Sequence, residues 1–112
     1  MTKKQTNEAV LSQQVEDLLV SRNLRGMKTV QPALATGYYQ RAARTLYKCK
    51  GHVLIGTGFP VVDTFETDGP VGAIALYEAL EKLGATPIIV CGPPVSQALM
   101  DNYRVHEIRV GE

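Results

Sequence analysis

Three carboxylates fall within six residues of one another: Asp63, Glu66 and Asp68. Acids this close could hold a hard cation such as Mg²⁺, or a substrate ammonium group, because all offer oxygen ligands. One of them, with its pKa raised by its neighbours, could instead act as a general base. The plain alternative is a solvated acidic loop. Just upstream, Gly56-Thr57-Gly58-Phe59-Pro60 combines two glycines with a hydroxyl. Glycines let backbone N–H groups approach an anion closely, although tight turning alone would also explain them. The segment is neither a phosphate loop, which needs a Gly-Lys-Ser/Thr ending, nor a dinucleotide fingerprint, since Val61 stands where the third glycine belongs. Asp68 or Gly69 is the expected N-cap of the helix that follows, and capping alone could account for Asp68.

The remaining reactive side chains are more isolated. Cys91 ends an apolar run, but no second cysteine or histidine stands near it in sequence, so a buried free thiol is expected. His52 opens a strand and His106 sits inside one, both structural positions. Arg41 and Arg44 are expected on a helix surface.

These groups need a scaffold, and the hydrophobic pattern supplies one. Val10, Leu11, Val15, Leu18 and Leu19 recur at helical spacing, which predicts a helix over 6–23 with that face inward and Thr6 or Asn7 as its cap. A second helix is expected to begin after Pro32 and run to about Lys48, with Leu34, Tyr38, Ala42, Leu46 and Cys49 on one side. At Gly51 the texture changes. His52-Val53-Leu54-Ile55-Gly56 reads as a buried parallel strand. A loop of about thirteen residues follows, longer than the roughly two to six usual between a strand and its helix. Pro70 opens a helix that runs to Leu83 and is apolar except for Glu78, Glu81 and Lys82, so it should be largely buried. Gly84 is placed for a C-terminal cap. Thr86 to Cys91 is a second strand, Val95 to about Asn102 a short helix, and Arg104 to Val110 a third strand.

Alternating strands and helices imply parallel pairing with right-handed crossovers. The expected fold is α/β, a Rossmann-like three-layer arrangement. Its sheet is short and mostly parallel, with about three strands, and two helices precede it. The whole would be one domain with a helical lead-in over 1–50 and a βαβαβ unit over 51–112. In such sheets ligands bind beyond the carboxyl ends of the strands, which points to 56–69 and 91–94.

Composition narrows the function classes. Of 112 residues, 45% are hydrophobic and 21% charged, which is globular rather than disordered. The longest run without a charged or strongly polar residue is nine, Gly69 to Tyr77, against roughly twenty for a transmembrane helix. The N-terminus lacks the apolar core of a signal peptide. Two cysteines cannot build a disulfide framework, and a reducing cytoplasm is the expected compartment, or a mitochondrial matrix if the source is eukaryotic. Net charge is +1, which implies no attraction to nucleic acid. The charge is unevenly spread: residues 1–56 carry nine basic and three acidic side chains, residues 57–112 three and eight.

Several segments resemble the D-glutamate cyclase family, in the domain that forms the C-terminal part of its longer members. They are Val53-Leu54-Ile55-Gly56-Thr57-Gly58-Phe59, then Glu66-Thr67-Asp68-Gly69-Pro70-Val71-Gly72-Ala73, then Leu80-Glu81-Lys82-Leu83-Gly84. Arg25-Gly26-Met27 and Ala42-Ala43-Arg44-Thr45-Leu46 match more weakly, and the likeness spans about residues 15 to 110. It implies a lyase of D-amino-acid metabolism that converts D-glutamate to 5-oxo-D-proline with loss of water. On that resemblance Glu66 and Asp68 are candidates for the base or for ammonium recognition. Thr57, Gly58, Phe59, Thr67 and Gly69 are candidates for substrate binding, with the backbone of Thr57, Gly58 and Gly69 holding an oxyanion. No cofactor is specified, though Asp63, Glu66 and Asp68 could take Mg²⁺. The family domain is considerably longer, so this chain is expected to be its N-terminal part, completed by a homo-oligomer or a complementing chain. The alternative is a non-catalytic module that binds a small anion and oligomerises.

Overall fold

The computed structural model describes residues 2–58, 60–61, 64–65 and 67–109. The chain divides into two compact units, residues 1–48 and 49–112. The division falls two residues ahead of the change in texture at Gly51.

The first unit is helical. Helix α1 spans Lys3–Val20, three residues earlier at each end than its apolar pattern suggests. Thr2, not Thr6 or Asn7, is its cap. The Thr2 hydroxyl accepts from Gln5 N (3.2 Å), and the Gln5 side chain accepts from Thr2 N (2.9 Å), a reciprocal capping box. Asn23 closes the next turn. Its side-chain oxygen accepts from Lys28 N (2.9 Å) and Thr29 N (3.3 Å), at the start of the short helix α2, Met27–Val30.

Helix α3 is Tyr38–Lys48, five residues shorter than expected at its N-terminal end. Gly37 explains the difference: its φ of +85° is a left-handed conformation that interrupts a helix. Before it, residues 31–33 form a single 3₁₀ turn. The guanidinium of Arg41 donates to the carbonyls of Thr36 (2.7 Å) and Ala35 (2.9 Å), fixing that approach.

The face of α1 that turns inward corrects the expectation. Glu16 is buried, at 2% exposure, and Val20 with it; Leu11, Leu18 and Leu19 stay 61, 72 and 66% exposed. The reason is a polar contact that outranks the apolar pattern. One Glu16 carboxylate oxygen accepts from Tyr39 N (3.2 Å) and the other from Gln13 Nε2 (3.3 Å). A carboxylate at the first turn of α3 satisfies a donor that the helix itself leaves open and faces the positive end of its dipole.

The second unit is α/β. Strands β1 (His52–Gly56), β4 (Thr86–Cys91) and β5 (Val105–Glu107) form one parallel sheet in the order β1-β4-β5. Helix α4 (Asp68–Lys82) joins the first two and α5 (Val95–Leu99) the last two. Both crossovers step in the same direction, so the right-handed rule puts both helices on one face. Burial follows: Ile55, Pro87, Ile89 and Cys91 are buried, while their neighbours Leu54 and Gly56 are exposed. Helix α4 is therefore less buried than its composition predicts. It buries Pro70, Ala73, Tyr77 and Leu80, and leaves Val71 65% exposed.

Gly84 ends α4 as expected, with φ +93°. Its N–H donates to Glu81 O (3.1 Å) and Ala85 N–H to Leu80 O (3.0 Å), the paired bonds of a Schellman motif. On the other side of the sheet's middle strand, Arg104 ties β5 to α4. It donates to Pro87 O (3.0 Å) and to Glu81 (2.9 Å), and its backbone N–H donates to the Tyr77 hydroxyl (3.1 Å).

Candidate functional site

The carboxyl end of β1 and the start of α4 meet around a cavity of about 330 Å³. Pockets for small molecules run from about 300 to 1,000 Å³, so this one suits a single small ligand. Thr57, Gly58, Asp68 and Gly69 line it together, with Gly72, Ala73 and Leu76 along the same side of α4. The candidates on either side of the loop are thus brought to one place.

Local chemistry explains the closeness. Thr57 N–H donates to Val90 O (3.1 Å), carrying the sheet ladder one residue past the end of β1. The Thr57 hydroxyl then lies against the first turn of α4: a Cβ at Gly69 would stand 3.3 Å from Thr57 Oγ1. Glycine at 69 is what allows the approach. Gly58 has φ +94°, and a Cβ there would touch Val95 (3.4 Å) and Cys91 (3.5 Å). The loop therefore passes directly over the end of β4 and the start of α5. Between the two flanks, β2 (Pro60–Val61) and β3 (Thr64–Phe65) form a short antiparallel pair that the sequence pattern did not announce.

Asp68 is the first residue of α4 and not its cap; Thr67 holds the cap position, without a side-chain hydrogen bond. Asp68 Oδ1 accepts from Gly69 N (3.0 Å), so the carboxylate still serves the helix start. Pro70 is the third helical residue instead of the first, and its missing N–H still falls among the donors that a first turn leaves open. Thr67 is exposed and outside the cavity lining. Phe59, Asp63 and Glu66 lie outside the described residues. Among the described residues no group of three or more His, Cys, Asp or Glu could hold a metal ion.

A second polar cluster sits behind the loop, at the carboxyl ends of β4 and β5. Cys91 pairs in register with Glu107. Ser96, fully buried, donates to Glu107 (3.1 Å), and Arg109 lies 3.6 Å from the same carboxylate oxygen. Burial pushes the Cys91 thiol above its ordinary value, and the negative charge of Glu107 adds to the rise. The thiol is free and buried, the setting of a structural cysteine. Sequence reading did not single out Ser96 or Glu107, because only strand register brings them together. Gly72, Ala73 and Leu76 carried a signal, since Gly69-x-x-Gly72-Ala73-x-x-Leu76 is one side of a helix. A larger hollow of about 600 Å³ lies beside Tyr77, Glu81 and Arg104, but holds none of the loop residues.

Chemically, the cavity offers the Thr57 hydroxyl, the Gly58 backbone and a helix N-terminus whose Gly69 amide is taken by the Asp68 carboxylate, a set with both an acceptor for an ammonium group and donors for a developing oxyanion. His52 and His106 are exposed on strands and take no part in it, and Arg41 and Arg44 are exposed on α3. No helix among the described residues is long and apolar enough to cross a membrane. Searches of curated proteins and of solved structures return no significant match. A comparison with protein families matches residues 15–109 to the family described as D-glutamate cyclase-like, C-terminal.

Proposed function

The chain belongs to the D-glutamate cyclase-like family, and on that premise we propose that it acts on D-glutamate as a cyclase or as a partial domain of one. The observation that carries the reading is the convergence of Thr57, Gly58, Asp68 and Gly69 on one small cavity at the carboxyl end of β1.

The reaction is a ring closure. The substrate nitrogen forms a bond to its own distal carboxyl carbon, and one C–O bond of that carboxyl breaks. The two protons shed by the ammonium leave with the departing oxygen as water, giving 5-oxo-D-proline. Asp68, with Glu66, recognises the ammonium and takes its proton. Thr57 N–H is held by Val90 O, so the Thr57 hydroxyl and the amide of Gly58, joined by that of Gly69 once Asp68 turns from it to the ammonium, steady the carbonyl oxygen as it gains charge. Phe59 stays a substrate-binding candidate on the resemblance, while Thr67 lies outside the cavity lining. A soluble, cytoplasmic setting and a homo-oligomeric or complemented assembly belong to the same proposal.

The test is to incubate the purified chain with D-glutamate and follow 5-oxoproline by chromatography. Turnover is expected, with loss of at least about a hundredfold in Asp68→Asn and Glu66→Gln, the scale of a general-base contribution. Full activity in both variants overturns the roles. A second reading, a non-catalytic small-molecule module, is favoured by one contact: Asp68 is already engaged with Gly69 N and so is not free to act as a base. Thermal stabilisation by D-glutamate without product would select it.

A further inference from the structure

Helix α1 turns a carboxylate inward and leaves leucines outside. Opposite the side that carries Glu16 and Val20, Leu11, Val15 and Leu18 make a stripe, with Leu19 at its flank. The three leucines are 60% exposed or more, and Val15 is half-buried. Their spacing of four and three is the seam of a two-stranded helical pair. Extended one step each way, the same spacing reaches Glu8 and Arg22, each seven residues from Val15. Both are exposed, and neither makes an ion pair among the described residues.

This pattern is self-complementary in one orientation only. Two copies of α1 laid antiparallel about Val15 set Glu8 of each against Arg22 of the other, and Leu11 against Leu18 and Leu19 of the other. A parallel pair would set Glu8 against Glu8 and Arg22 against Arg22. We propose that α1 is a self-association surface, and that the chain forms an antiparallel homodimer through Leu11, Val15, Leu18 and Leu19. The inference does not rest on the cyclase reading. One helix pair lies at the small end of specific interfaces, so the dimer should be reversible, with Kd on the order of 10 µM.

Sedimentation equilibrium of the full chain, from about 1 to 500 µM, tests it on the scale of that Kd. The weight-average mass is expected to climb from 12.2 kDa towards twice that value. Leu18→Glu, an exposed position, should keep its helical circular dichroism and remain monomeric throughout. Glu8→Arg or Arg22→Glu alone should weaken association by about tenfold, the scale of two lost ion pairs each becoming a repulsion. The double variant should restore it. A wild-type chain that stays monomeric overturns the proposal. So does a dimer indifferent to Leu18→Glu, which would place the contact on another surface. A double variant no better than either single one overturns the antiparallel pairing.

Discussion

In the unit of residues 49–112 the most buried side chains include Leu80, Ile89 and Val95, at 1, 0 and 2% exposure; in the unit of residues 1–48 the most buried is the carboxylate-bearing Glu16, at 2%. The first set excludes water from a sheet and two helices, and its contribution scales with apolar area. The second is one charged group whose oxygens satisfy an amide at the start of another helix. Apolar packing is diffuse and survives imperfect neighbours. A buried polar contact is local, and it fails when one partner goes. The same chain therefore contains a unit held by many apolar contacts at once and one in which a single polar side chain joins two helices.

The sharpest way to break the comparison is in the sheet. Ile89→Ala should cost about 3 kcal/mol, a buried large-to-small change in the middle strand. Chemical denaturation followed by hydrogen exchange should show the loss in residues 49–112. Next is Glu16→Ala, expected to cost about 2 kcal/mol because Tyr39 N and Gln13 both lose their acceptor. Exchange should accelerate at the first turn of α3 and leave the sheet unchanged. Glu16→Gln, which keeps an acceptor, should cost roughly half as much. If Glu16→Ala leaves α3 as protected as before, the polar contact is not what orders that unit.

The smallest effect concerns the two thiols. Cys49 is half-buried and Cys91 buried. A thiol reagent at neutral pH should modify Cys49 first and reach Cys91 only on unfolding. Because the folded state holds Cys91 above its ordinary value of 9.0, the folded state keeps a proton that the unfolded chain gives up. Stability from this group is complete below that value and falls as pH rises through the folded pKa. The loss should appear in the sheet unit and vanish in Cys91→Ala.

Much of the second unit was legible in the sequence because its signals are local. Short β-branched runs at 53–55 and 86–91 give strands, and Gly84 gives the stop after α4. Thr57, Gly58, Asp68 and Gly69 could be nominated because a strand end and a helix start flank the same loop. The first unit was misread where the deciding partner is distant. Nothing around residue 16 says that Tyr39, twenty-three positions on, will offer its amide, so Leu11 and Leu18 were expected inside. The Ser96–Glu107 pair was hidden likewise, eleven residues apart and joined only by strand register. Helix α4 was expected to be more covered than it is. Composition reveals how apolar a helix is, but the topology determines how many sides have a neighbour.

The contact between Glu16 and Tyr39 also has a direction in time. A ribosome releases residue 16 before residue 39, so the acceptor is synthesised ahead of its donor. The first turn of helix α3 takes an acceptor from the earlier helix, since Tyr39 N–H donates to Glu16. The acceptor for the later helix's start thus lies in the earlier one, and a swap of the two segments would reverse their order of synthesis even with every contact retained.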